Sequence, residues 1–122
     1  MQGYKSLKVF QLSYELAMEI FRLSKTFPRE ETYSLTDQIR RASRSVPANI
    51  AEGYRKRQYP RHFVSKLSDA DGECSETQVW LFFSRDCGYA TSEKCDELVQ
   101  KYEEVGRMLG GMIANPERFL PK

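Results

Sequence analysis

At 122 residues and 14.2 kDa, with 40% hydrophobic and 30% charged side chains, the chain has the size and balance of a single folded domain spanning residues 1–122. Its longest uninterrupted apolar run, Val79 to Phe83, is far short of the ~20 residues a membrane-spanning helix needs, and the opening MQGYKSLK has no apolar signal core, so a cytoplasmic protein with no membrane partner is expected. The formal charge of +2 conceals a polarised chain: from Arg40 to Lys66 eight basic residues face one acid, Glu52, a local balance of +7 that leaves −5 for the remainder.

Seven glycines and five prolines, with little β-branched alternation, favour an all-α chain. Helix one is expected over about 6–26. It carries two apolar stripes, Phe10, Tyr14, Ala17 and Phe21 on one and Val9, Leu16, Ile20, Leu23 and Phe27 on the other, so it must contact more than one neighbour. Phe27-Pro28 ends it, because a residue preceding proline is driven out of the α region.

Helix two is expected over 35–58. Leu35, Ile39, Ala42, Val46, Ile50, Gly53 and Tyr54 share one face at helical spacing, with Arg40, Arg41, Arg44 and Arg55 opposite. Pro47 interrupts the hydrogen-bond ladder at a cost of roughly 3 kcal/mol, yet the stripe continues in phase across it. One helix kinked at Pro47 follows, with Ser43, Ser45, Asn49 or a water serving the freed groups.

Helix three should open at Pro60 and run to Asp86, burying Phe63, Leu67, Ala70, Cys74, Thr77 and Leu81. Asp69, Glu73 and Glu76 form an acidic stripe on another side. Near its end the helix is apolar all the way round. Val79, Trp80, Phe82 and Phe83 therefore become the expected interface of a homo-oligomer, although the double stripe of helix one could instead fold over them within one chain.

Cys87-Gly88 supplies the next stop, and helix four, expected over 92–114, starts after Thr91 or Ser92 as N-cap. Cys95, Leu98, Tyr102, Val105, Leu109 and Met112 repeat as a heptad seam, Asn115-Pro116 closes the helix, and residues 116–122 are left as a tail. The three cysteines are odd in number and show no metal-binding spacing; Cys74 and Cys95 read as buried hydrophobes. Four helices with short connections give an antiparallel up-down-up-down four-helix bundle.

LKVFQLSYELAMEIFRLSKTFPREETYSLTDQIRRASRSVPANIAEGY, then Ala70, Gly72 and Glu76 ahead of Cys87-Gly88-Tyr89, then RMLGGMI, resembles the bacterial four helix bundle protein family, whose founding members are encoded in intervening sequences of large-subunit ribosomal RNA genes. The similarity runs over about residues 4 to 114, and its QIRRA…SVPANIAEGY core is quite specific to that family. It implies an up-and-down bundle assembled as a homopentamer. More distantly the chain resembles the accessory protein of diversity-generating retroelements, a basic pentamer that works with nucleic acid. Glu73 stands where the family usually has a small residue, and the charge of +2 is well below that of those accessory proteins.

Catalysis finds no support. A carboxylate-bridged metal pair needs Glu-x-x-His on two helices, whereas the single histidine, His62, is preceded three residues earlier by Tyr59. No glycine-rich phosphate loop is present, so no cofactor, no metal and no enzyme activity are expected. The functional lead is basic: Arg40, Arg41, Arg44, Arg55, Lys56, Arg57, Arg61 and Lys66, with Tyr54 and Tyr59 able to stack on unpaired bases. Arg40, Arg41 and Arg44 have a rival use, pairing with Asp69, Glu73 and Glu76 within a protomer or across an interface. The expectation is a non-catalytic, RNA- or DNA-associated accessory protein, the alternative a scaffold that docks a protein partner.

Overall fold

The computed structural model describes residues 3–121. Four helices, α1 (Lys8–Ser24), α2 (Leu35–Arg55), α3 (Pro60–Asp86) and α4 (Ser92–Ala114), pack so that each touches its neighbours in chain order and α4 closes onto α1. This is an up-down-up-down bundle, with α2 and α3 as its most extensive pair.

α3 and α4 keep the limits expected from sequence, and both ends of their connection are built from local chemistry. Gly88 takes φ +77°, and the amides of Gly88 and Tyr89 donate to the carbonyls of Arg85 and Ser84. That is the Schellman pattern, which only glycine adopts without a side-chain penalty. Thr91 then caps α4 by accepting from the Lys94 amide at 3.1 Å.

α1 and α2 are shorter than expected. Residues Gly3–Ser6 form a separate 3-10 turn, and Leu7, in an extended conformation, breaks it from α1. At the other end the amide of Lys25 reaches back three residues to Arg22, while Ser24 and Thr26 hydroxyls donate to the carbonyls of Phe21 and Leu23. α2 stops at Arg55 because Lys56 and Arg57 donate to Gly53 and Tyr54 in a tightened last turn that reverses the chain into Pro60.

α2 runs through Pro47 as one helix. The carbonyls around it are held by side chains: Ser43 Oγ donates to Arg40, Ser45 Oγ to Arg41, and Asn49 Nδ2 to Ser45 at 2.8 Å. Ser43, Ser45 and Asn49 each hold a carbonyl near the proline, but none of these bonds reaches the Ser43 carbonyl, four residues before Pro47, which they were expected to serve.

The core takes Leu16 and Ile20 from α1, Ile39, Val46 and Ile50 from α2, Phe63, Leu67 and Leu81 from α3, and the whole α4 heptad from Cys95 to Met112. Burial pushes the Cys74 thiol up to about 12 and keeps it inert. Deep among these groups the Tyr102 hydroxyl has no hydrogen-bond partner among the described residues, and burial raises its pKa.

Residues 116–121 are not a loose tail. Pro116–Phe119 form a 3-10 turn that returns over the bundle end, where the Phe119 ring lies 6.4 Å from that of Phe63 and Arg57 Nη1 donates to the Phe119 carbonyl. The apolar Phe119-Leu120 pair is the sequence signal for this return, since a solvated tail has no use for it.

Candidate nucleic-acid interface

Arg40, Arg44 and Arg55 lie on one side of α2, but about 16 Å of helix axis separates Arg44 from Arg55. The eight basic residues therefore do not form one patch. They divide into a group against α1 and a group at the α2–α3 turn.

Against α1, one ring gathers three cations. The guanidinium carbons of Arg40 and Arg44 lie 4.8 and 5.6 Å from the Phe21 centroid, and Lys25 Nζ lies at 4.7 Å. Arg40 is also fixed by Nε donating to Ser24 Oγ at 2.7 Å. Arg41 points elsewhere and pairs with Asp37, one turn earlier, at 3.1 Å.

None of these arginines reaches the acidic stripe of α3 within the chain. The Glu73 carboxyl is held above its ordinary value, first by burial and then by the Glu76 and Asp69 charges, as expected where no cation compensates. The intramolecular pairing weighed from sequence is thereby corrected: α1, not the α3 stripe, lies against the arginine side of α2.

At the α2–α3 turn the charges are freer. Arg55, Lys56 and Arg61 are exposed, and their side chains make no hydrogen bond or ion pair among the described residues. Lys66 differs, pairing with Glu52 at 3.0 Å across the two helices. There Gly53 allows the close approach, since a Cβ at that position would sit 2.9 Å from Lys66 Cβ.

Arg57 is the most constrained of the group. Its guanidinium lies 3.8 Å over the Tyr54 ring, Nε donates to the Tyr54 carbonyl at 2.9 Å, and Nη1 donates to Phe119 at 3.3 Å. Two of its five N–H groups are thus committed and the head is locked, leaving the remaining donors in a fixed fork. Tyr59, 56% exposed, precedes the first turn of α3.

A polar groove of about 740 Å³ lies beside this group, lined by Tyr54 and Arg55 of α2, by Arg57 of the turn that follows, and by Tyr4 and Lys5 of the first turn. Among the described residues no Asp or Glu lines it. Lys5 and Tyr4 were not among the residues singled out from sequence, because nothing local in MQGYKSLK says that this turn docks at the far end of α2. Gln11 holds it there, donating through Nε2 to the Lys5 carbonyl at 2.7 Å.

The apolar run of α3 is not covered within the chain. Val79, Phe82 and Phe83 remain 43%, 39% and 52% exposed, and the first stripe of α1 lines an outer groove beside α2 instead of folding over them. Trp80 departs from its three neighbours: its side chain packs on the core, 5.9 Å from the Phe83 ring.

A family model described as 23S rRNA-intervening sequence protein matches residues 5–111. Among solved structures, one similar fold is a protein of unknown function from the S23 ribosomal protein family of Bacteroides thetaiotaomicron. It aligns with a TM-score of 0.78 at 30% identity, covering 86% of this chain and 97% of that one. No curated protein matches the chain. Four helices in this order, the SVPANIAEGY segment at the α2–α3 approach and the extent of the match place the chain in the 23S rRNA-intervening sequence protein family.

Proposed function

We propose that the protein is a non-catalytic, self-associating bundle that binds RNA or DNA through the phosphate backbone, using Arg55, Lys56, Arg57 and Arg61 with Lys5 beside them. One observation carries this reading: the side chains of Arg55, Lys56 and Arg61 stand exposed and without an ionic partner among the described residues, and Arg55 with the locked Arg57 lines a groove to which no described Asp or Glu contributes. Unpaired surface cations add little to folding, and an array of them next to a fixed guanidinium is suited to phosphate. The association of the family with the 23S rRNA intervening sequence agrees with a nucleic-acid partner.

Self-association rests on α3. Each large apolar side chain left in water forgoes roughly 1.5–3 kcal/mol of burial, and Val79, Phe82 and Phe83 stand together on the surface. A second copy covering them gives a closed homo-oligomer, five-membered on the family resemblance. Repetition of one modest basic group around such a ring multiplies affinity without new contacts.

The test is a salt titration of RNA and DNA binding, with the mass in solution measured on the same sample. Binding whose log–log salt slope is near −0.9 per phosphate for duplex DNA, and which is lost in the triple variant Arg55→Glu, Lys56→Glu, Arg61→Glu, is the expected result. An intact assembly that binds neither polymer at low salt overturns the reading in favour of a scaffold for a protein partner.

A further inference from the structure

Tyr4 lines the polar groove at the α2–α3 turn. The same tyrosine also lines a second groove, about 380 Å³, between α1 and α2. Its floor and sides are Phe10, Tyr14, Met18, Pro47 and Ala51, and its far end is Arg44. Three aromatic rings step along this path: Tyr4 meets Phe10 edge-on at 5.0 Å between centroids, and Phe10 meets Tyr14 at 6.0 Å. Lys5, Arg55 and Arg57 stand at one end, Arg44 with Lys25 and Arg40 around Phe21 at the other, and among the described residues no carboxylate lines either groove.

We infer that these two grooves, which share Tyr4, together form a track for single-stranded nucleic acid, with phosphates held at its two cationic ends and unpaired bases laid on Tyr4, Phe10 and Tyr14 between them. The inference rests on the nucleic-acid reading above and narrows it to a strand form and a path.

Its basis is the alternation of the lining. Duplex offers phosphates on its outside and hides its base faces, so an apolar, aromatic floor between two cationic ends has nothing to contact there. A single strand offers both, and base stacking on aromatic side chains tolerates any sequence because every base has a π-face. The aromatic floor is also costly to leave wet, Tyr14 being 54% and Met18 38% exposed. The helical repeat produces the arrangement: Arg44, Ala48, Ala51 and Arg55 recur on one side of α2, so small residues open the middle of the track where large cations mark its ends. Arg57 arrives with its head already locked, which lowers the ordering cost of holding a phosphate at that end.

The experiment compares a labelled single strand, as RNA and as DNA, with the duplex of the same length and sequence, for the wild-type chain and two variants at exposed positions. Expected is single-strand affinity at least about tenfold above duplex, with Tyr14→Ala removing about that factor from the single strand and leaving the duplex unchanged. Lys5→Glu should instead flatten the single-strand salt slope by about 0.7 for each phosphate that is no longer neutralised. Circular dichroism confirms that both variants fold. Equal binding of both forms, unmoved by Tyr14→Ala, overturns the track and leaves the phosphate-binding proposal standing. Absence of all binding overturns both. A change of assembly mass in Tyr14→Ala, with affinity per chain unaltered, overturns the track by making this face a contact between copies.

Discussion

Glu31 Oε2 accepts a hydrogen bond from the Tyr89 hydroxyl at 2.8 Å, tying the turn before α2 to the turn between α3 and α4. The other oxygen of the same carboxylate accepts from Ser34 Oγ at 2.6 Å and from the Leu35 amide at 3.2 Å, so one side chain starts α2 and closes one end of the bundle. These bonds, that of Ser34 first, hold the Glu31 carboxyl below its ordinary 4.5, and the carboxylate in turn pushes the Tyr89 hydroxyl up to about 12. A lowered acid contributes stability that is present above its unfolded value and lost as pH falls through the folded one; a raised phenol contributes below about 10, and that is lost as pH rises through about 12. The stabilising pair is therefore fully formed between those limits. The melting-temperature advantage of wild type over Glu31→Gln should shrink below pH 4.5, and a gap that stays constant into acid would show that the carboxylate charge is not what the network uses.

Gly53→Ala should lower stability by about 1–3 kcal/mol, because the new methyl would sit 2.9 Å from Lys66 Cβ and 3.4 Å from the Phe63 carbonyl oxygen. Neither neighbour is the free end of a flexible chain, so α2 and α3 must separate. Alanine ordinarily favours a helix over glycine, which gives the denaturation measurement a clean sign: a stabilised variant would mean the crossing is looser than described.

Tyr102→Phe should hold or raise stability, by up to about 1–2 kcal/mol, since it removes a buried hydroxyl without a partner and keeps the ring. A loss of stability would reveal that the hydroxyl is satisfied in solution.

Val79→Asp with Phe83→Asp should reduce the mass of the assembly while helicity and melting temperature stay near wild type, because both side chains are exposed in the single chain. Trp80 is the wrong residue for this test, since it packs on the core. A doubly substituted protein that kept its full mass would exclude this face from self-association.

Arg57→Ala should cost about 1–2 kcal/mol and expose residues 116–121 to proteolysis, since it removes the bond to Phe119 together with the stack on Tyr54. Arg57→Lys should not restore either, because an ammonium cannot lie flat on the ring while reaching both carbonyls. Rescue by lysine would reduce the role of this residue to charge alone.

The architecture was legible wherever one periodic signal met one punctuation mark. Pro60, Gly88 and Thr91 fix the limits of α3 and α4 through backbone geometry that acts within a few residues. The ends of α1 and α2 were overrun because their stops are cooperative: Leu7 turns away from the helix to reach the core, and Lys56 and Arg57 tighten the turn because the chain must enter Pro60. The basic group was visible as composition but not as a place. Only tertiary structure shows that Arg44 and Arg55 line different grooves that share Tyr4, that Lys66 pairs with Glu52, and that Tyr4 and Lys5 join from the first turn of the chain.

The close approach at Gly53 also bears on how fast the molecule forms. Only residues 56–59 separate α2 from α3, so their pairing closes a short loop at small entropic expense, and it is the most extensive helix pair in the bundle. That hairpin is therefore the expected folding nucleus, with α1 and α4 expected to condense onto it later. Lesions at the crossing should slow refolding, whereas lesions in the α4 seam should chiefly hasten unfolding, and the two arms of a chevron plot would separate them.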